Sequence, residues 1–574
     1  RPRQRALHLR LGRSMLADDP ARGEGDALFA ITAHLNHAAE TSDGPPLLHD
    51  PHERLRLAEL NLAAARRALQ ATAFASAALY CRHGCDLLPA EVWTRHYELG
   101  FRLHCLRMQC EHLAGDIPAA LAQFEPLLRH ARDDHDRAEI HDLRLRLDIS
   151  RERYTDAIRT GLAGLRLLGV DLPEHPSQAA ILRELAAIRW QRGLRPIAAL
   201  AALPPASDPR ITLALRLLAH LTLPAYLVDE AALALFTLRV VTLSIRHGVT
   251  QDSAYGFAVF ASITNNRFDD HDGARELLTV AEALHSRWPG PHLAARLTHV
   301  HGYYVEAWLR PFTAALARIE AQFDPAIALG DTSLASNFHA ARCDLLWLAG
   351  SELPTIDQAV AAARHHARGF TGFDHTHWFL PIERACLALR GHTDPLADGS
   401  DRALADQLGP AHAATTFYFT LFKATLLLHA GEFRDAERLC HLHHRVRLEG
   451  SPLLAELLLL RVLARAAQAP TRPISPSERP HLQRWLRRLQ LWARVCPQNH
   501  AARALLAEAE LARADNHDDA ATTLYLRAVE AARASDQRRL EGLAFERAGR
   551  HLRARSLHVL SDMYLRAARD AYAR

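Results

Sequence analysis

Lysine is nearly absent. Lys423 is the single lysine in 574 residues, so arginine supplies the other 68 of the 69 basic side chains. A Walker A loop needs a lysine before Ser or Thr in a glycine-rich turn, and Lys423 stands instead in Phe422-Lys423-Ala424. A protein kinase needs a strand lysine on the α/β-phosphates, which this context cannot supply. Lysine Schiff-base chemistry has the same lone candidate, on an apolar helical stretch. Glycine is also sparse, at 27 residues, and no Gly-rich phosphate turn or nucleophile elbow occurs. No run of 18 apolar residues is present. The longest candidate, Leu453 to Leu463, is broken by Glu456 and Arg461, so no membrane span is expected. The eight cysteines (81, 85, 105, 110, 343, 386, 440 and 496) form no CxxC pair, which predicts reduced and mostly buried thiols. Net charge is only +4, too balanced for a dedicated nucleic-acid or membrane-surface protein. With no signal-peptide core after Arg1-Pro2-Arg3, a cytoplasmic piece of a longer chain is expected.

Ala, Leu, Arg and Glu dominate, and they lose little side-chain freedom in a helix. One phrase recurs. Gly115-x-Ile117-x-x-Ala120-x-x-x-Phe124 fits the second half of a tetratricopeptide repeat, and so does Gly431-x-Phe433-x-x-Ala436-x-x-x-Cys440. Tyr154-x-x-Ala157 repeats it with Glu152 in the glycine position. Weaker copies run through His271, Ala274, Leu278 and Ala281, and through His517, Ala520, Leu524 and Ala528. The glycine permits the tight turn between paired helices, the small alanine lets the partner approach, and the large residue four positions on fills the groove. The reading is all-α: an α-solenoid of degenerate tetratricopeptide-like helix pairs, stacked as a right-handed superhelix because one pair cannot bury its own face. Its expected parts are helices over 1–50, repeats over 51–290 and 291–468, a Pro-rich linker over 469–480, and final pairs over 481–574.

Longer phrases carry a family resemblance. They are Glu53 to Leu62, Ala77 to Pro89, Trp93-x-x-x-Tyr97-Glu98-Leu99, Glu111 to Asp116 and Gly161 to Pro173, with Ser253 to Gly256, Trp308 to Pro311 and Asn499 to Ala512 as later landmarks. Together they resemble the helical-repeat region of large bacterial proteins that join a serine/threonine kinase, a STAND-type ATPase and usually a sensor histidine kinase. The resemblance implies that 1–50 trails an upstream ATPase module and that the last helices lead to an output module. It implies a non-catalytic sensor or scaffold arm, whose partner is a protein, a peptide or the neighbouring kinase and ATPase modules. ATP and Mg are expected only in those modules, and no position here matches their catalytic motifs. The sensing arm of a STAND-type transcription regulator, or a stand-alone interaction adaptor, are the alternatives.

No catalytic, cofactor or metal residues are assigned. Among 36 histidines, His299/His301 and His375/His377 point to nearly opposite sides of a helix, whereas Cys440/His444 and His441/His444 each share a face. A structural zinc site usually needs four convergent ligands, and the bland reading of a His-rich helix is preferred. Cys81 and Cys85 are read as small buried hydrophobes. Tyr303, Tyr304, Trp308, Trp378, Phe417 and Tyr418 suit the concave groove of a solenoid as ligand or partner anchors, although each taken singly is better explained as core filling. Arginines 484, 487, 488 and 494, interleaved with Trp485 and Trp492, read as a solvated face with tryptophan inward.

Overall fold

The computed structural model describes residues 2–18, 25, 27–40, 47–329, 331–368, 376–394, 413–442 and 450–573. The chain is all-α, with helices packed largely sequentially in pairs. Pro51–Gln70 packs on Phe74–Leu87, Asp134–Ser150 on Tyr154–Leu167, Gln251–Arg267 on His271–Arg287, and Arg538–Ala554 on His558–Tyr572. Among the described residues the only β pairing is the isolated bridge Pro205–Val249. Two compact units result, Arg1–Glu174 and His175–Arg574.

Local signals set the helix ends. Asp50, Asp133, Asp208, Asp229, Asp270 and Asp331 each accept a hydrogen bond from a first-turn amide, so a short carboxylate satisfies a donor that the helix leaves orphaned. One turn recurs between paired helices. The amides of Asp116, Arg153, Glu432, His517 and Gln537 reach back to the carbonyls of Glu111, Asp148, Leu427, Ala512 and Ala532 at 2.8–2.9 Å. The residue before each is left-handed: Gly115 (φ 85°), Glu152 (56°), Gly431 (86°), Asn516 (60°) and Asp536 (50°). This is a Schellman-type stop, where glycine carries no Cβ penalty and Glu152 bears one.

The alanines of the repeated phrase lie in the packing seams. Ala120, Ala157 and Ala436 are buried, as is Tyr154, and Ile117, Phe124 and Phe433 are half-buried against their cores. Ala274, Leu278 and Ala281 are buried too. The copy at 517–528 is corrected by one position. Ala520 is exposed and Leu524 half-buried, whereas Ala521, Tyr525, Ala528 and Ala532 line the buried face of Asp518–Ala534. Pro209–Val228 is long and apolar enough to cross a membrane by length and composition, which inspection of unbroken runs overlooks. It buries Leu213, Leu217, Leu218 and Leu221 and pairs with Glu230–His247.

The second unit is tied by polar contacts between helices far apart in sequence. Arg503, fully buried, donates to Glu456 (3.1 Å), Gln537 (3.0 Å) and the Leu348 carbonyl (3.3 Å). Arg539 meets the other Glu456 oxygen at 2.6 Å. Burial alone would raise the Glu456 pKa, but Arg539 and Arg503 reverse that and hold it below its ordinary value. One turn earlier on the Arg503 helix, Asn499 accepts from the Phe312 amide (2.9 Å) and donates to the carbonyls of Ala307 (2.9 Å) and Arg310 (2.8 Å). The Pro-rich stretch 469–480 is non-helical up to Arg479, and it folds back on Leu453–Ala467: buried Arg465 binds Glu478 (2.8 Å) and the carbonyls of Arg472 and Pro473.

Removing one partner of a buried pair leaves an uncompensated charge, at a cost of roughly 3–5 kcal/mol. Glu456→Ala is therefore expected to shift the urea unfolding transition of the second unit by about that amount. Glu59→Ala, which breaks an exposed pair with Arg56, is expected to change stability by under about 1 kcal/mol.

Candidate functional site

In the first unit the Trp93-x-x-x-Tyr97 phrase makes a corner. The short helix Val92–Arg95 stops at His96 and the chain restarts as Tyr97–Leu113. Between this corner and the start of Pro51–Gln70 lies a cleft of about 710 Å³, whose lining includes Arg56, Arg95, His96, Tyr97, Leu99 and Arg132. Tyr97 is its fixed element. The phenol donates to Asp136 Oδ2 at 2.6 Å and accepts from the Arg132 amide at 2.9 Å. Burial, then Asp136, pushes its pKa up, so the hydroxyl remains a donor. The Arg132 guanidinium lies over the Tyr97 ring at 4.4 Å. The two acids on the wall are engaged, Glu59 by Arg56 at 2.9 Å and Glu98 by Arg102 at 2.5 Å. Among the described residues, Arg95 and Arg132 take part in no ion pair.

Beside the cleft, Asp133, His135 and Asp136 form the one group among the described residues close enough to hold a metal ion. Their oxygens already have structural duties, since Asp133 caps the Asp136 amide at 2.9 Å and Asp136 anchors Tyr97.

The second unit contains a buried polar hub. The π-helical stretch Val300–Glu306 presents Tyr303, whose hydroxyl donates to Asp344 at 2.5 Å and lies 3.0 Å from Ser451 Oγ. Tyr418 donates to the same Asp344 oxygen at 2.7 Å. Tyr304 packs edge-on against Tyr226 and Tyr303, and its carbonyl accepts from Asn266 at 2.9 Å. Burial pushes the Asp344 carboxyl up to about 7, against the downward pull of the two phenols.

The aromatic residues expected in a groove are thus brought together, but inside the core. Tyr303, Trp308, Phe417 and Tyr418 are buried and Tyr304 is partly so. Trp308 leaves the tyrosine group: its indole donates to the Gly450 carbonyl at 2.8 Å and its ring meets Trp492. Tyr303, Trp308 and Tyr418 each place their polar atom on an internal partner, as core-filling side chains do. The Trp378 side chain lies outside the described residues, as do His375 and His444. Cys440 is buried and pushed up to about 12 by that burial, while His441 lies 3.6 Å from Glu437. Cys85 is likewise pushed up to about 12 by burial although Arg107 opposes it, and Cys81 is buried beside Cys110. Trp492 points inward, as expected for the Arg484–Arg494 face, and Arg488 reaches Asp269 at 2.7 Å. The sequence reading missed Arg95, Arg132 and Asp344. Only Tyr97 and Glu98 carried a signal, inside the resemblance phrase.

Because the folded pKa of Asp344 is raised, the folded state holds more protons than the unfolded chain between pH 4 and 7. Its contribution is complete below the ordinary aspartate pKa and is lost as pH rises to about 7. Asp344→Asn keeps an acceptor without a charge. The wild-type protein is expected to lose a few kcal/mol relative to Asp344→Asn across this window, at ~1.4 kcal/mol per pKa unit. Chemical denaturation at several pH values reads the difference. His299, His339 and His429, held down to about 4 by burial, give an opposite slope that both proteins share.

No family model matches the chain. Over 332 residues, 53% of its length, it is 21% identical to hybrid signal transduction histidine kinase G of Dictyostelium discoideum. That stretch is 10% of the relative's own length. The chain is therefore an all-helical protein with a distant resemblance to part of a hybrid signalling histidine kinase.

Proposed function

We propose that this chain is the non-catalytic sensor or scaffold arm of a multidomain bacterial signalling protein. Its helix pairs are degenerate tetratricopeptide-like repeats that wind as a right-handed superhelix. The arm works in the cytoplasm, binds a ligand, a peptide or a neighbouring module, and regulates kinase or ATPase output. ATP and Mg act in those modules and not in this chain.

The observation that carries this reading is the match to a hybrid signalling histidine kinase over 53% of a chain whose helices pack largely in sequential pairs. The cleft beside Tyr97 supplies a place for occupancy to be sensed. Binding there changes output only through different affinities for two states of the protein, typically by 1–3 kcal/mol, or about 5–150-fold.

The test uses the full-length protein in its own cells. Phosphorylation is compared between wild type and the double charge reversal Arg95→Glu, Arg132→Glu. A change of about fivefold or more is expected, in either direction. Equal phosphorylation, with the variant folded and equally abundant, would contradict the sensory reading.

A further inference from the structure

We propose that the Arg95/Arg132 cleft is a binding site for a small organic phosphate, with the phosphoryl group held at the start of Tyr97–Leu113. This deepens the sensor-arm reading and rests on it for the consequence of binding, though not for binding itself.

Three features of the cleft converge on an oxyanion. First, its positive charge is unspent: Arg95 and Arg132 have no acid partner among the described residues, and Glu59 and Glu98 are each occupied by another arginine. Second, one cation is already in place. Arg132 lies against the Tyr97 ring, and that ring is fixed through Asp136 and the Arg132 amide, so little ordering cost remains on binding. Third, the Tyr97–Leu113 helix starts at His96 with no side-chain cap on its first-turn amides, and Tyr97, Glu98 and Leu99 line the cleft. The last feature would carry nothing alone. Combined with two guanidiniums it supplies donors from more than one direction, which suits the three terminal oxygens of a phosphoryl group better than the two of a carboxylate.

At about 710 Å³ the open cleft has room for a small phosphate ester. Leu55 and Leu99 on its wall give the organic body of the ester an apolar surface. Inorganic phosphate should therefore bind, and an ester should bind more tightly.

The 574-residue chain is titrated calorimetrically with inorganic phosphate, with phenyl phosphate, and with an acidic hexapeptide. Saturable binding of both phosphates is expected, tighter for the ester. Arg95→Gln with Arg132→Gln is expected to weaken both by about tenfold or more, since each removes a charged donor to the phosphoryl oxygens. These positions are exposed, so the melting temperature should not move. Arg166→Gln, which loosens an exposed pair with Asp171 away from the cleft lining, should bind as wild type does. Absence of saturation by phenyl phosphate, binding that the double variant leaves intact, or capture of the peptide without the ester would each overturn the assignment. Phosphate binding that leaves phosphorylation of the full-length protein unchanged would keep the ligand and remove the sensory role. A response to the charge reversal without phosphate binding would do the reverse.

Discussion

Glu456 brings a negative charge into the interior of the second unit, and the helices around it are held by the need to keep that charge paired. Arg503 and Arg539 reach it from two other helices, Pro497–Ala514 and Arg538–Ala554. Arg503 continues to the Leu348 carbonyl at the end of Thr332–Ala349, and Asn499 on its helix seals the backbone at Ala307, Arg310 and Phe312. Several helix ends are satisfied by side chains from a single helix. None of these partners can withdraw without leaving a buried group unpaired, which costs more than the bond itself contributes. Polar satisfaction thus joins pairs that sequential apolar packing alone would leave coupled only to their neighbours.

The same logic orders the tyrosine hub. Asp344 tolerates burial because Tyr303 and Tyr418 donate to it, and the π-helical turn at Val300–Glu306 supplies the first of these. π-Helical turns are rare and are found often at functional sites. Here the turn serves an internal contact. The first unit differs in kind: its Tyr97 is anchored just as firmly, yet two neighbouring guanidiniums are left without acids.

Much of the helical order was legible in the sequence. The Gly115 and Gly431 turns are where the repeated phrase places them, and Glu152 adopts the same left-handed turn despite its side chain. Alanine marks seams at 120, 157 and 436 because only a small residue permits close approach there. The phrase at 517–528 slipped by one residue, since alanines on both sides of the register make the pattern ambiguous until Tyr525 is seen to face inward. What could not be read is convergence. Arg95 and Arg132 stand on different elements, and Asn499, Arg503 and Glu456 find partners up to 192 residues away. Periodicity reports a helix's own faces and says nothing of which distant helix covers them. For that reason the pattern favoured core filling for aromatic residues such as Tyr303 and Tyr418 without naming the partners that bury them.

Native-state hydrogen exchange of the intact chain tests the interlocking of the second unit most directly. If the Glu456–Arg503–Arg539 pairing joins distant helices, amides in Leu453–Ala467, Pro497–Ala514 and Arg538–Ala554 open together, as one of the most protected groups in the unit. Progressive opening from the C-terminal end, with Arg538–Ala554 exchanging well before Leu453–Ala467, would show instead that each pair depends only on its neighbours and would contradict the account.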